Sequence, residues 1–265
     1  MIIIFFILGL IIGSFANVVV YRLRVAESIM GRSHCPHCKE QIRWYDNIPL
    51  ISFILLRGEC RDCRGKISWQ YPLVELGCAL MFALISWQFF SPMDTQSWAE
   101  TAFYLLTFSM LLVIFAYDLQ YMEIPMIVLW SAVGWVIVYF LLNDFASFDK
   151  ANSILSVRIF SGMLAGILSF AFFFIMASVS KERWMGLGDA YLGFLVGLIV
   201  GWPQTLFALM VSFALGAIVG IILMALKKKT LKSQIPFAPF LVLGALIAIV
   251  LPKIWPAAKY YLMFY

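Results

Sequence analysis

Long apolar runs separated by short polar breaks set the pattern of this chain. A helix of roughly 20 apolar residues crosses a bilayer. The first such run occupies 1–21. A polar stretch, 22–71, follows it, and apolar segments then recur at about 72–90, 98–117, 125–143, 157–179, 189–201, 204–226 and 233–256. The pattern predicts an all-α polytopic membrane protein with about eight transmembrane helices. It divides into helix 1 (1–21), a polar domain (22–71) and a membrane domain carrying helices 2–8 (72–265). Two stripes stand out within the runs. Gly9, Gly13, Asn17 and Tyr21 recur every four residues and so share one helix face. There the glycines permit close helix approach and Asn17 can hydrogen-bond across the interface. Asp189, Gly193, Gly197 and Gly201 form a second stripe of the same spacing, which turns the aspartate into the helix bundle rather than toward lipid. Pro236 and Pro239 predict a broken or re-entrant start for the last segment.

Composition and charge sharpen this picture. The chain is 63% hydrophobic and 12% charged, whereas a soluble domain is about half apolar and about a quarter charged. Of its 19 Lys and Arg residues, 15 fall in 22–71, 118–124, 180–188 and 227–234; the others are Lys150, Arg158, Lys253 and Lys259. Such asymmetry is the positive-inside signature and puts those four stretches in the cytoplasm. The net charge of +5 therefore follows membrane topology and implies no nucleic-acid partner. The first run has no basic residue before it, and Arg22 and Arg24 follow it. That order predicts a retained helix with its N-terminus outside, not a cleavable signal.

The polar domain holds Cys35-x-x-Cys38 and Cys60-x-x-Cys63. Two close pairs across a modest loop suit a tetrahedral Zn²⁺ held by four thiolates, and such a closed site is structural. A disulfide is disfavoured in a cytoplasmic loop. His34 and His37 flank the first pair and read as bystanders, and Cys78 reads as a core residue. Glu75 lies just inside the second apolar segment, as a helix cap, a partner for a loop arginine or, less favoured, a catalytic group.

Ionisable residues at the edge of a bilayer are costly and mark candidate sites. Asp118 closes the third segment, and Asp189 opens the sixth within Gly186-Leu187-Gly188-Asp189. With both histidines confined to the polar domain, a Ser-His or Cys-His pair in the membrane is excluded. No H-E-x-x-H, Walker or dinucleotide pattern occurs. Two carboxylates at one membrane depth remain. Held close, one keeps a proton while the other acts as base on a water, the aspartic-protease arrangement. Spacing alone leaves helix capping or an interhelical ion pair open. It also leaves an ion- or proton-coupled transporter with a zinc docking loop, or a zinc anchor for a partner protein.

The chain resembles the type IV prepilin peptidases, the leader peptidases and N-methyltransferases of type IV pilus and type II secretion systems. The matching stretches run from Gly13-Ser-Phe-Ala-Asn-Val-Val-Val-Tyr-Arg-Leu23 through the two Cys pairs, Asn47-Ile-Pro-Leu50 and Arg57-Gly58. They continue with Tyr71-Pro-Leu-Val-Glu-Leu76, Asp118 with Ile124-Pro125, Gly186-x-Gly-Asp189 and Ile235-Pro-Phe-Ala-Pro-Phe240. The resemblance implies that Asp118 and Asp189 are the catalytic pair of a Gly-x-Gly-Asp membrane protease, supported by Gly186 and Gly188. It implies prepilin or pseudopilin substrates with a short basic leader, cut at the cytoplasmic face of a bacterial inner membrane. It further implies methylation of the new N-terminal amine by S-adenosylmethionine, with the cofactor site unknown and 22–71 the place to look. Family members often carry further polar residues after the first aspartate; here those positions hold Gln120, Tyr121 and Met126.

Overall fold

The structure is a computed structural model that describes residues 1–145, 157–228 and 234–254. The described residues are mostly helical, with isolated bridges His34–Gln41 and Glu59–Lys66 in place of sheet. The helices are α1 (Ile2–Val25), α2 (Ile51–Leu55), α3 (Gln70–Phe89), α4 (Thr95–Tyr121), α5 (Met126–Phe145), α6 (Arg158–Ser180), α7 (Leu187–Val200), α8 (Gln204–Ala225) and α9 (Ala238–Ile254). Six of them, α1, α3, α4, α5, α6 and α8, are long and apolar enough to cross a membrane. The chain is a multi-pass membrane protein. The expected count of about eight is not reached by length. α7 has 14 residues and α9 has 17, and at ~1.5 Å per residue 14 residues extend only about 21 Å. Parts of the links 143–156 and 227–234 lie outside the described residues, as do Lys150, Lys229, Lys232 and Lys259.

The chain forms two compact units, Met1–Ala116 and Tyr117–Tyr265. In the first, α1 lies against α3 through the glycine stripe. A Cβ on Gly9 would fall 2.6 Å from Ala79 Cα, and one on Gly13 would fall 2.7 Å from Glu75 Cα. Backbone thus meets backbone, which only glycine permits. One turn on, Asn17 Nδ2 donates to Tyr71 O at 3.1 Å, the cross-interface bond its place on the stripe suggested.

In the second unit, α7 uses its own stripe against α6. A Cβ on Gly197 would sit 2.6 Å from both Ala165 O and Gly166 N, while Gly193 meets the ring of Phe173. α6 answers with Gly162 and Gly166, whose missing Cβ atoms make room for Leu198 O and Phe194 O. At the stripe's end Ser161 Oγ accepts from Trp202 N at 2.9 Å. Asp144, near the end of α5, accepts from Ile159 N with Oδ2 at 2.7 Å and so caps the first turn of α6. α8 and α9 meet where Gly244 faces Ala208 and Ser212.

Several boundaries differ from the pattern. α4 runs to Tyr121, so Asp118 sits inside its last turn instead of at its end. Nothing in Leu119-Gln120-Tyr121 breaks a helix. The break comes at Met122, whose φ is 54°, ahead of Ile124-Pro125, where the residue before proline is pushed out of helical conformation. The last segment starts late: 234–237 are non-helical and α9 begins at Ala238.

Candidate active site and metal centre

Asp118 is buried, with only 5% of its surface exposed. Its Oδ2 accepts a hydrogen bond from Ala238 N at 3.2 Å, 120 residues away. Ala238 is the first residue of α9, so the carboxylate takes the first N–H of that helix and faces the positive end of its dipole. Asp189 occupies the first turn of α7, and its Oδ2 accepts from Gly186 N at 3.2 Å, closing the turn that starts the helix. Each carboxylate is thus held at a helix N-terminus. The sequence named both aspartates as candidates; it did not show what would hold them.

The two glycines of Gly186-x-Gly-Asp189 have different tasks. Gly186 precedes the helix in extended conformation, and its N–H orients Asp189. Gly188 lies against the break after α4, where a Cβ would come 3.2 Å from Ile124 Cδ1. A bare Gly188 therefore lets the turn carrying Asp189 close onto the residues that follow Asp118. Behind the site, Phe237, next to Ala238, packs against Phe213 at 5.0 Å and Phe173 at 6.0 Å between ring centroids. Pattern reading missed Ala238 and Ile124. Pro239 was the available signal, because proline in a first turn marks a helix start with free N–H groups.

In the first unit the four sulfur atoms of Cys35, Cys38, Cys60 and Cys63 lie within 4.8 Å of one another. Each pair sits on a tight turn of the same design. Cys35 N takes Glu40 O and Lys39 N takes Cys35 O; Cys60 N takes Gly65 O and Arg64 N takes Cys60 O. Lys39 and Arg64 are left-handed, with φ of 61° and 56°. Cys35 Sγ and Cys63 Sγ are 3.9 Å apart. Tetrahedral zinc with Zn–S bonds of ~2.3 Å requires sulfur atoms about 3.8 Å apart, so the residues fit that ion. Electrostatics agree. Burial pushes the Cys35 thiol up, but the N–H groups of Cys38 and His37 together with the Cys38 and Cys60 sulfurs hold it down at about 7. Cys38 benefits from Glu40 N–H, yet burial and the Cys35 and Cys63 sulfurs drive it up to about 12. Four thiols this close resist ionising together unless a cation joins them.

Other loop residues anchor this module. Arg22, at the end of α1 and 4% exposed, donates to the carbonyls of Ser28, Ile29, Gly31 and Arg32. Arg61 donates to both Asp46 oxygens at 2.8 and 2.6 Å, and holds that carboxyl below the usual carboxylate range. Glu75 Oε2 accepts from Leu50 N at 2.8 Å, so its buried carboxylate fastens the loop to α3.

Comparison with known proteins fits this geometry. Residues 7–89 match the bacterial peptidase A24 N-terminal domain, and residues 105–221 match the type IV leader peptidase family. A prepilin leader peptidase/N-methyltransferase of Stutzerimonas stutzeri is 30% identical over 92% of this chain and 88% of its own length. The protein of that name from Pseudomonas aeruginosa is 30% identical, covering 91% and 87% respectively. An Escherichia coli type 4 prepilin-like proteins leader peptide-processing enzyme is 31% identical over 93% of both chains. No solved structure matches.

Proposed function

The chain belongs to the type IV leader peptidase family, and from that premise we propose that Asp118 and Asp189 are the catalytic pair that removes prepilin leaders. The protein is a leader peptidase and N-methyltransferase acting on type IV prepilins. The transporter alternative draws no support from these relatives. One observation carries the residue assignment: two aspartates, each accepting from a backbone N–H at a helix N-terminus, on turns that meet where Gly188 packs against Ile124.

The chemistry follows from the pair. With one carboxyl ionised and the other protonated, the ionised group takes a proton from a water. That water attacks the scissile carbonyl while the protonated group donates to the carbonyl oxygen. The carboxyl that took the water's proton then gives it to the scissile nitrogen, the other carboxylate takes a proton back from a hydroxyl of the tetrahedral intermediate, and the C–N bond breaks to release the new N-terminal amine. The N–H groups of Ala238 and Gly186 steady both carboxyls through these proton transfers. The pair works at the cytoplasmic face of the bacterial inner membrane, where a prepilin or pseudopilin presents the end of its apolar helix. S-adenosylmethionine supplies the methyl group for the new amine. Zinc on Cys35, Cys38, Cys60 and Cys63 serves structurally, joining the two turns of the 22–71 domain.

Purified wild type, Asp118→Asn and Asp189→Asn should be compared on a prepilin in detergent. Asparagine keeps an oxygen for Ala238 N or Gly186 N, so both variants should fold. Both should lose cleavage by about 10²–10⁴-fold or more. Near-normal cutting by either folded variant removes that residue from the pair.

A further inference from the structure

We propose that α2 lies in the membrane interface, with Ile51, Ile54 and Leu55 seated among lipid acyl chains beside Trp69. Its occupant is phospholipid of the leaflet on the side of the polar domain. The proposal rests on α1 and α3 being membrane spans and is independent of the aspartate assignment.

Depth supplies the first argument. α3 has 20 residues, about 30 Å at ~1.5 Å per residue, which equals the hydrocarbon thickness of a bilayer. Its first residue, Gln70, therefore stands at the membrane boundary. Leu50, the residue that opens α2, is bonded through its N–H to Glu75. Glu75 lies five residues into α3, about 7.5 Å along its axis. Phe53 of α2 packs edge-on against Trp69, with ring centroids 4.9 Å apart. Two contacts thus fix α2 level with the start of a span, not out in the water.

Surface chemistry supplies the second. Three of the five α2 side chains are bare: Ile51 is 55% exposed, Ile54 71% and Leu55 75%. Trp69 is 70% exposed and Trp44 79%. Tryptophan favours the interface between headgroups and acyl chains. The patch continues the lipid-facing side of α3, where Leu73 and Leu80 are also exposed. Arg43 and Arg57 flank it, both exposed and placed to meet anionic headgroups. A segment in this position must also satisfy its own backbone. The N–H groups of Leu50, Ile51, Ser52, Ile54 and Leu56 all have acceptors. α2 would then set the height at which the second cysteine turn, starting five residues after Leu55, leaves the membrane.

The test places a photoreactive diazirine amino acid singly at Ile54, Leu55 and Asp62. Asp62 is an exposed residue in the second cysteine turn. Each full-length variant is reconstituted in phosphatidylethanolamine/phosphatidylglycerol vesicles, checked for a wild-type thermal melt, irradiated and read by mass spectrometry. The proposal expects phospholipid adducts at 54 and 55 at least tenfold above those at 62. Adducts formed mainly with this chain or a second copy, or equal water-quenched products at all three positions, overturn it.

Discussion

One added methyl group at Gly197 should push α6 and α7 apart and disturb the aspartate pair from a distance. The Cβ of Gly197→Ala would fall 2.6 Å from Ala165 O and Gly166 N, where ordinary contact begins at 3.4 Å. Both atoms are backbone, so no rotamer change relieves the overlap; one helix must move by nearly an ångström. Overpacking of this kind costs about 1–3 kcal/mol, offset by about 0.5–1 kcal/mol gained when alanine replaces glycine in a helix. A net loss of roughly 0–2.5 kcal/mol remains, and the backbone-to-backbone overlap places Gly197 toward the upper end. Asp189 stands eight residues away on the same helix, about 12 Å along its axis, and a catalytic group displaced by 1 Å loses about 10²-fold in rate. Thermal melting in detergent and prepilin cleavage should therefore fall together. Gly77→Ala and Gly134→Ala provide the reference, because nothing lies within 4 Å of either Cβ; they should hold or slightly raise the melting temperature. Gly162→Ala probes the same interface from α6, with its Cβ 2.5 Å from Leu198 O. Once one alanine has opened the gap the second should cost less, so the double variant should lose less than the two singles summed. If Gly197→Ala melts like Gly134→Ala and cuts at the wild-type rate, the backbone-contact reasoning fails.

Elemental analysis of the purified protein should find one zinc per chain, and Cys63→Ser should lose it and expose 22–71 to protease. Retained metal in that variant would show that the four sulfurs do not act as one site. Replacing Glu75 with Gln should preserve the bond to Leu50 N, whereas Glu75→Leu should leave that N–H unmet and speed hydrogen exchange across 50–56. Equal exchange in the two variants would make the anchor dispensable. Arg61 lowers the Asp46 carboxyl, so the pair stabilises the folded loop above the unfolded carboxylate range, near pH 4. This contribution fades as pH falls through the lowered value. Arg61 is exposed, so water screens the pair and its contribution is small. The difference in loop protection between wild type and Asp46→Asn should thus be present at neutral pH and vanish in acid; a difference that grows in acid contradicts the sign.

Much of the site was legible because its signals are local. The i, i+4 stripe from Asp189 to Gly201 follows from helix periodicity alone, and its glycines face α6. The paired Cys-x-x-Cys spacing brought four sulfurs to one point. The aspartates were legible as charges at the edges of apolar runs. α2 was not legible, because five residues within a polar stretch carry no periodicity and its position depends on Glu75 and Trp69. Arg22 read as a topology marker, yet it gathers four carbonyls, since backbone acceptors leave no trace in residue identity.

By itself the sequence determined that this chain lives in a membrane, roughly where its long apolar helices run and which residues are candidates for chemistry. Each of these depends on side-chain polarity along a short stretch. Only the tertiary structure decided that Asp118 meets Ala238 N, that Gly188 closes on Ile124, and that α6 is the partner of the α7 stripe. Those contacts are made by backbone amides and by glycines, groups that every segment offers in the same form. A missing Cβ shows that something comes close; which segment comes close is settled by the fit of whole helices against each other.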